Sequence, residues 1–157
     1  MNEKAFQDYY PDHWSYCYGC GRLNKDGLQI KSFWDGDESV CTFKPYPQHI
    51  AIPGFVYGGL IASLIDCHGT GTASAAVYRS ENRPMDSEPA VRFVTASLQV
   101  DYLKPTPLGE ILEVRGHVQE YKGRKVIVAI TLRVKGEVTA KGKVVAVQVP
   151  DNMYTAP

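Results

Sequence analysis

The stretch from Tyr57 to Asp66 holds the residues of this chain that are best suited to chemistry. Two glycines, Gly58 and Gly59, open an apolar run, and Asp66 lies eight residues after the first of them. A carboxylate on a buried helix is costly unless a partner or a reaction uses it. A glycine pair at a helix start leaves backbone N–H groups available to a polarised oxygen. An acid combined with such a helix start predicts acyl-group chemistry.

The spacing of these groups limits what one chain can do alone. Eight residues of α-helix cover about 12 Å, at about 1.5 Å per residue. A carbonyl oxygen, by contrast, lies only about 1.2 Å from the carbon that is attacked. One helix cannot easily apply both groups to one carbonyl, whereas two helices related by a two-fold axis can. We therefore expect Gly58 of one protomer to face Asp66 of its partner.

Structural interpretations of the same residues remain open. Asp66 could cap a backbone group or pair with His68 or Arg92, and the glycines could serve only close packing at a helix start. Cys67 and His68 follow Asp66 directly, but helix neighbours point about 100° apart and so cannot pair as nucleophile and base.

One helix and a set of strands must position these groups. The pattern predicts a buried helix from Gly58 to about Tyr78, because nearly every face is apolar or small. Strand-like alternation marks residues 27–34, 39–44, 97–102, 112–119, 126–134 and 138–146. Short breaks between the later segments predict antiparallel hairpins. The expected fold is α+β, an antiparallel sheet of about six strands wrapped around a long central helix.

Length and composition indicate one domain and exclude several classes of protein. We expect an irregular N-terminal arm over residues 1–26, the domain itself over 27–150 and a C-terminal tail over 151–157. The 17 basic and 17 acidic residues balance, so no basic stripe predicts a nucleic-acid partner. The longest apolar stretch is too short to span a membrane. The acidic N-terminus does not resemble a secretory signal, which predicts a cytoplasmic protein.

The four cysteines, Cys17, Cys20, Cys41 and Cys67, are expected to be reduced. Cys17 and Cys20 have the spacing of a zinc knuckle, but a structural zinc site usually needs two such pairs. The favoured interpretation is a tight turn with two half-buried thiols and no metal. Zinc held with His13 or Cys41 is one alternative, and a redox pair is another.

Three motifs occur in a defined order along the chain. They are Gly58-Gly59 with Asp66, Tyr102-Leu-Lys-Pro-Thr-Pro-Leu-Gly-Glu110, and Gly123-Arg-Lys125 before an alternating strand. This combination resembles the hotdog-fold acyl-CoA thioesterases, and within them the PaaI-like and thioesterase-superfamily-member branch. The segment Cys17-Tyr-Gly-Cys-Gly21, with Asn24 and Gly27-Leu28, is also similar to the N-terminal part of many such proteins. The resemblance covers about residues 17 to 149.

The resemblance implies an acyl-CoA substrate, with coenzyme A as part of the substrate and no further cofactor. It also implies homodimers, often paired as dimers of dimers, with active sites at the subunit interface. The N–H of Gly58 would bind the thioester carbonyl, and Asp66 would activate water or attack directly. Thr95, placed by counting back from Pro105, would hold the water, although threonine is also an ordinary strand residue.

Further substrate contacts are predicted around these groups. The candidates are Tyr57, Gly59, His49 at the pocket entrance, and the cations Lys104, Arg124 and Lys125, where relatives bring basic groups to the nucleotide end of coenzyme A. A lone loop histidine is ordinarily exposed to solvent, and surface cations are common, so each also has a neutral interpretation.

The chain departs from the family pattern at Tyr57, where histidine is usual. Tyrosine can donate a hydrogen bond to a carbonyl but does not titrate near neutral pH. Two other activities are considered for the same fold. A hotdog hydratase or dehydratase would pair the acid with a histidine, but His49, His68 and His117 form no recognisable motif. A non-enzymatic acyl-CoA-binding protein is the second.

Overall fold

The computed structural model describes residues 3–150 and Met153, so most of the predicted tail, 151–157, lies outside the described residues. Its regular elements are β1 (Ser32–Asp35), β2 (Glu38–Phe43), α1 (Gly58–Ser80), β3 (Phe93–Tyr102), β4 (Leu112–Lys122), β5 (Lys125–Val134) and β6 (Glu137–Gln148). Two short 3₁₀ helices, Phe6–Tyr9 and Asp12–Trp14, precede them. Along the described part of the chain, no α-helix is both long and apolar enough to cross a membrane.

The strands form one antiparallel sheet in the order β1-β2-β4-β5-β6-β3. Every second residue of β5 is buried, because one face of the sheet packs on α1. The helix is enclosed on nearly all sides, and Leu64 and Ile65 are fully buried. At Gly69 a Cβ atom would lie 2.5 Å from the Cγ2 atom of Val144, so glycine permits the close approach of α1 to β6. The predicted α+β architecture is confirmed.

The first strand is shorter than its alternating sequence predicts. The backbone N–H groups of Leu28 and Ile30 donate to the carbonyls of Tyr18 and Gly19, at 2.8 and 3.0 Å. Gln29 between them has a φ of 56°, which is outside the strand region. The prediction of a strand from residue 27 was wrong, because this segment pairs with the N-terminal arm and joins the sheet only at Ser32.

The fully buried His68 links α1 to the hairpin of β1 and β2 and, through Ser32, to the N-terminal arm. The Nδ1 atom of His68 lies 2.9 Å from the Ser32 hydroxyl, and its Nε2 atom lies 2.9 Å from the Ser39 hydroxyl. The Ser39 hydroxyl also lies 2.6 Å from that of Thr72, and the Gln7 amide donates to the Ser32 hydroxyl at 3.1 Å. Burial lowers the pKa of His68 to about 4. The imidazole is therefore neutral in the folded protein at neutral pH.

This network predicts a pH-dependent stability. The unfolded chain binds a proton on His68 near its ordinary pKa of about 6.5, whereas the folded chain binds it only near 4. The free energy of unfolding should therefore be highest above about pH 6.5. It should fall by about 3 kcal/mol as the pH drops to about 4. Urea denaturation across this range should show a smaller decrease for His68→Gln than for wild type. His117→Gln, at an exposed histidine of β4, is the control, and equal slopes in wild type and His68→Gln would contradict the assignment.

Candidate active site

The start of α1 presents the backbone donors of Gly58 and Gly59, whereas the N–H of Leu60 donates to the Tyr57 carbonyl at 3.1 Å. Gly58 is the first helical residue, and the side chain of the preceding Tyr57 makes no capping hydrogen bond. The N–H groups of a first helical turn have no intrahelical acceptor, and the helix dipole places partial positive charge there. At Gly59 a Cβ atom would lie 2.4 Å from the ring of Tyr57. Glycine at this position therefore lets the tyrosine ring lie across the helix start.

An open groove of about 370 Å³ adjoins this helix start. Most of its lining is apolar and comes from the segment before α1 and from the chain after β3. The lining residues are Ile52, Phe55, Val56, Gly58, Ile61, Tyr102, Leu103, Lys104, Pro105 and Thr106. The groove can therefore accept an apolar chain beside the Gly58 donor.

Asp66 is a half-buried acid held by Thr95. The Thr95 hydroxyl donates to the Oδ1 atom of Asp66, so the structure brings together two of the three predicted catalytic residues. Thr95 lies on β3 where the pairing with β6 shifts between Thr95 and Ser97. Such a bulge changes the direction of a side chain relative to a regular strand. Asp66 is thus not the isolated buried carboxylate that the sequence suggested.

The structural partners considered for Asp66 are engaged elsewhere. His68 bonds to Ser32 and Ser39, as described above. The guanidinium carbon of Arg92 lies 4.5 Å from the centre of the Tyr10 ring. Within the described residues, the Asp66 carboxylate accepts from Thr95 and from neither of these two residues.

The two candidate half-sites, one at Gly58 and one at Asp66, lie apart within one chain. Both lie on α1, so eight residues of helix separate them by about 12 Å along its axis. The groove adjoins only the Gly58 end, and the Thr95 hydroxyl adjoins only Asp66. The separation expected from the sequence is therefore present in the fold.

The predicted cations divide between these half-sites. Lys104 lines the groove beside Gly58 and forms an ion pair with Glu137. Arg124 and Lys125 lie at the β4–β5 turn, where Arg124 donates to the Gln148 carbonyl at 2.7 Å and Lys125 pairs with Glu120 at 3.4 Å. The structure thus does not gather the three cations at one place.

The sheet register places the second pair of cations on the Asp66 side. Lys125 and Val94 both pair with Val147 of β6, and Thr95 pairs with the adjacent Ala146. Lys125 is therefore two strands, or about 10 Å, from the strand segment that carries Thr95.

Comparison with known proteins identifies the family. Residues 53–141 match the thioesterase superfamily. The chain belongs to the thioesterase superfamily.

Individual relatives agree with this family. The acyl-coenzyme A thioesterase THEM4 of Xenopus laevis is 36% identical over 115 residues, which cover 71% of this chain and 46% of the relative. THEM4 of Rattus norvegicus is 34% identical over 115 residues, covering 72% of this chain and 44% of the relative. The chain thus spans about half the length of the curated relatives it matches.

Solved structures confirm the predicted hotdog fold. A thioesterase superfamily protein from Shewanella loihica is 48% identical, with a TM-score of 0.67 over 90% of this chain and 100% of that one. The E. coli PaaI protein is 16% identical, with a TM-score of 0.63 over 78% of this chain and 81% of that one, and it supports the fold alone.

His49 lies beside the helix start of this thioesterase-superfamily chain. Its Nδ1 atom accepts the Tyr46 backbone N–H at 2.9 Å, and its carbonyl accepts the Tyr57 N–H at 2.9 Å. Partial burial lowers the pKa of its imidazole. Because Nδ1 is an acceptor, the neutral ring carries its proton on Nε2 and can donate from that atom only.

Tyr102 is a site residue that the sequence did not assign. Its hydroxyl donates to the Gly58 carbonyl at 2.7 Å, so it holds the first turn of α1 from the end of β3. Burial, with a smaller contribution from Tyr57, raises the pKa of Tyr102. The signal was present, since Tyr102 opens the motif that runs to Glu110. The alternation of residues along a strand does not by itself show which tyrosine contacts the helix.

Proposed function

We propose that this chain hydrolyses acyl-CoA thioesters at sites shared between two protomers. The observation that carries the proposal is the hydrogen-bonded Asp66–Thr95 pair on the same helix as the uncapped Gly58 start. The names of the THEM4 relatives, acyl-coenzyme A thioesterases, support the substrate class. The apolar groove beside Gly58 supports an acyl or pantetheine chain as its occupant.

In the general-base route, the contact between Thr95 and Asp66 orients water. The Thr95 hydroxyl donates its only hydrogen bond to Asp66. Toward a water molecule it can therefore act only as an acceptor. Water then gives one proton to the Asp66 carboxylate while its oxygen attacks the thioester carbon. The Gly58 N–H stabilises the negative oxygen that develops. The C–S bond breaks, and the coenzyme A thiolate takes the proton from Asp66, leaving a carboxylic acid and free coenzyme A.

In the nucleophilic route, the Asp66 carboxylate attacks the thioester carbon itself. The C–S bond then breaks to give a mixed anhydride and the coenzyme A thiolate. Water hydrolyses the anhydride, which regenerates Asp66 and releases the acid. Both routes need the same carbonyl donor at Gly58.

A two-fold axis accounts for the division of the site. β3 lies at an edge of the sheet, and within one chain Val94, Leu98 and Tyr102 on it are 41%, 39% and 53% exposed. An unpaired edge that carries apolar side chains favours association. In an antiparallel homodimer, Gly58 of one protomer would meet Asp66 and Thr95 of the other. The same operation would bring Lys104 toward the partner's Arg124 and Lys125, at the nucleotide end of the substrate. Pairing of such dimers into tetramers stays a prediction, as do the cytoplasmic location and the domain boundaries.

An acyl-CoA panel tests the reaction class. Short aliphatic, long aliphatic and aromatic acyl-CoAs should release free thiol, measured with a thiol reagent, for at least one member of the panel. Crotonyl-CoA hydration is measured beside it, because hydration without thiol release would favour a hydratase. Tight binding of acyl-CoA with no turnover would favour a binding protein instead.

Thr95→Val removes the hydroxyl and keeps nearly the same side-chain shape, so it tests the role of the hydroxyl. We expect kcat to fall by about 10- to 100-fold, because valine can neither donate to Asp66 nor accept from water. Thr95→Ser retains a hydroxyl and should stay within a few-fold of wild type. If the valine and serine variants have equal kcat values, the hydroxyl does not take part.

A further inference from the structure

Three thiols meet where the N-terminal arm packs on α1. The sulfurs of Cys17, Cys20 and Cys67 all lie within 4.8 Å of one another. Cys17 and Cys20 come from the turn of the arm, and Cys67 comes from α1. The Sγ atoms of Cys17 and Cys67 are 3.8 Å apart. The fold therefore supplies the third ligand that the single Cys17–Cys20 pair lacked, and it comes from neither His13 nor Cys41.

The separations fit a single small metal ion. With Zn–S bonds of about 2.3 Å, the edge of a tetrahedron is about 3.8 Å. The Cys17–Cys67 pair already has this edge, and the other separations need to contract by no more than about 1 Å to reach it. Soft thiolate ligands in this geometry select zinc among the common divalent cations.

The backbone around the thiols leaves room for sulfur. A Cβ atom at Gly19 would lie 2.3 Å from the Sγ atom of Cys67, so any other residue there would displace the third sulfur.

The charge of the surroundings also suits a metal thiolate site. Arg92 packs its guanidinium against the ring of Tyr10, 4.5 Å away, in the same arm that carries Cys17 and Cys20. Its Nη1 atom is buried and, within the described residues, has no hydrogen-bond partner. Three thiolates and one divalent cation carry a net charge of −1, which the guanidinium would neutralise.

We propose that Cys17, Cys20 and Cys67 bind one zinc ion, which fastens the N-terminal arm to α1 directly after Asp66. Cys17 is the half-exposed member of the cluster, so the fourth coordination position faces solvent and is filled by water. Each cysteine loses a proton on binding, and no oxidant or reductant is needed. The site does not depend on the reaction proposed above.

Metal content tests the site without an activity assay. Purified, reduced protein is freed of metal, incubated with excess zinc and desalted, and bound zinc is measured by mass spectrometry. Wild type should retain about one zinc per chain, and Cys17→Ser and Cys67→Ser should each lose most of it. Cys41→Ser is the matched control, because Cys41 is a buried free cysteine outside the cluster. It should retain zinc like wild type.

Cobalt absorption and thermal unfolding provide two further measurements. Neither would respond to metal or chelator if the cysteines served only in packing. Cobalt(II) in place of zinc should give thiolate charge-transfer absorption in wild type and Cys41→Ser, and much less in Cys17→Ser. A chelator should lower the Tm of wild type and Cys41→Ser, but not that of Cys17→Ser. The half-exposed Cys17 provides a variant that should fold even if Cys67→Ser does not. The proposal is overturned if reduced wild type retains no zinc, or if Cys17→Ser retains as much as Cys41→Ser.

Discussion

Replacing Asp66 by asparagine should lower kcat for acyl-CoA hydrolysis by about 10²- to 10⁴-fold. The amide is close in shape to the carboxylate, and its oxygen can still accept the Thr95 hydroxyl hydrogen bond. It cannot take a proton from water, and it is a poor nucleophile toward a thioester. Chemistry is therefore removed while the local geometry is kept. Thiol release measured at saturating substrate gives kcat directly.

The control for this substitution is Asp37→Asn, at an exposed acid in the β1–β2 turn. This variant changes the net charge by the same amount and should leave kcat within two-fold of wild type. The circular dichroism spectrum and the oligomer mass of Asp66→Asn should match those of wild type, because Asp66 is only half-buried. If Asp66→Asn retains near-normal hydrolysis across the whole panel, the assignment of Asp66 is wrong.

Gly58→Pro should lower kcat by about 10²- to 10³-fold, because it removes the N–H that would bind the thioester oxygen. The first helical position tolerates proline well, since its N–H has no intrahelical acceptor. The preceding Tyr57 has φ −58° and ψ 129°, which is the extended conformation that a residue before proline requires. The substitution therefore removes one donor without an obvious conformational cost.

Gly58→Ala is the matched variant that retains the N–H. A Cβ atom there would lie 3.4 Å from the nearest atoms of Tyr102, so a shift of a few tenths of an ångström accommodates it. We expect its kcat to stay within about ten-fold of wild type, well above that of Gly58→Pro. Equal losses in the two variants would indicate that bulk at this position matters and that the N–H does not.

A mixed dimer tests whether the two half-sites come from different protomers. Asp66→Asn and Gly58→Pro chains are co-expressed with two different tags, and dimers that carry both tags are purified. If each site is shared, one of the two sites in such a dimer has both groups intact, and about half of wild-type activity should return. If each site lies within one chain, every site keeps one defect and the mixture stays as inactive as its components.

Local pattern determined the elements of this protein. The apolar and small residues after Gly58 predict α1 to within two residues of its observed end at Ser80. Alternating residues also predict β4, β5 and β6 to within about three residues at each end, because buried positions recur at every second residue along much of each strand. The alternating pattern wrongly predicted a strand over residues 28–30. The partner of that segment is the arm, which a local pattern cannot reveal.

The spacing within one helix was also readable from the sequence. Gly58 and Asp66 lie on the same regular element, so their separation follows from the helical rise alone. This is why two half-sites could be predicted before any contact was known.

Tertiary structure alone decided which residues meet. The Thr95–Asp66 contact joins residues 29 apart, Tyr102 reaches Gly58 across 44 residues, and Cys67 joins Cys17 across 50. Each contact depends on sheet register, on a bulge in β3 or on the path of the arm. These features are set by packing of the whole chain around α1, because a shift of one residue in register turns a side chain to the other face. The residue types were visible in the sequence, but their meeting points follow from long-range packing that no local period encodes.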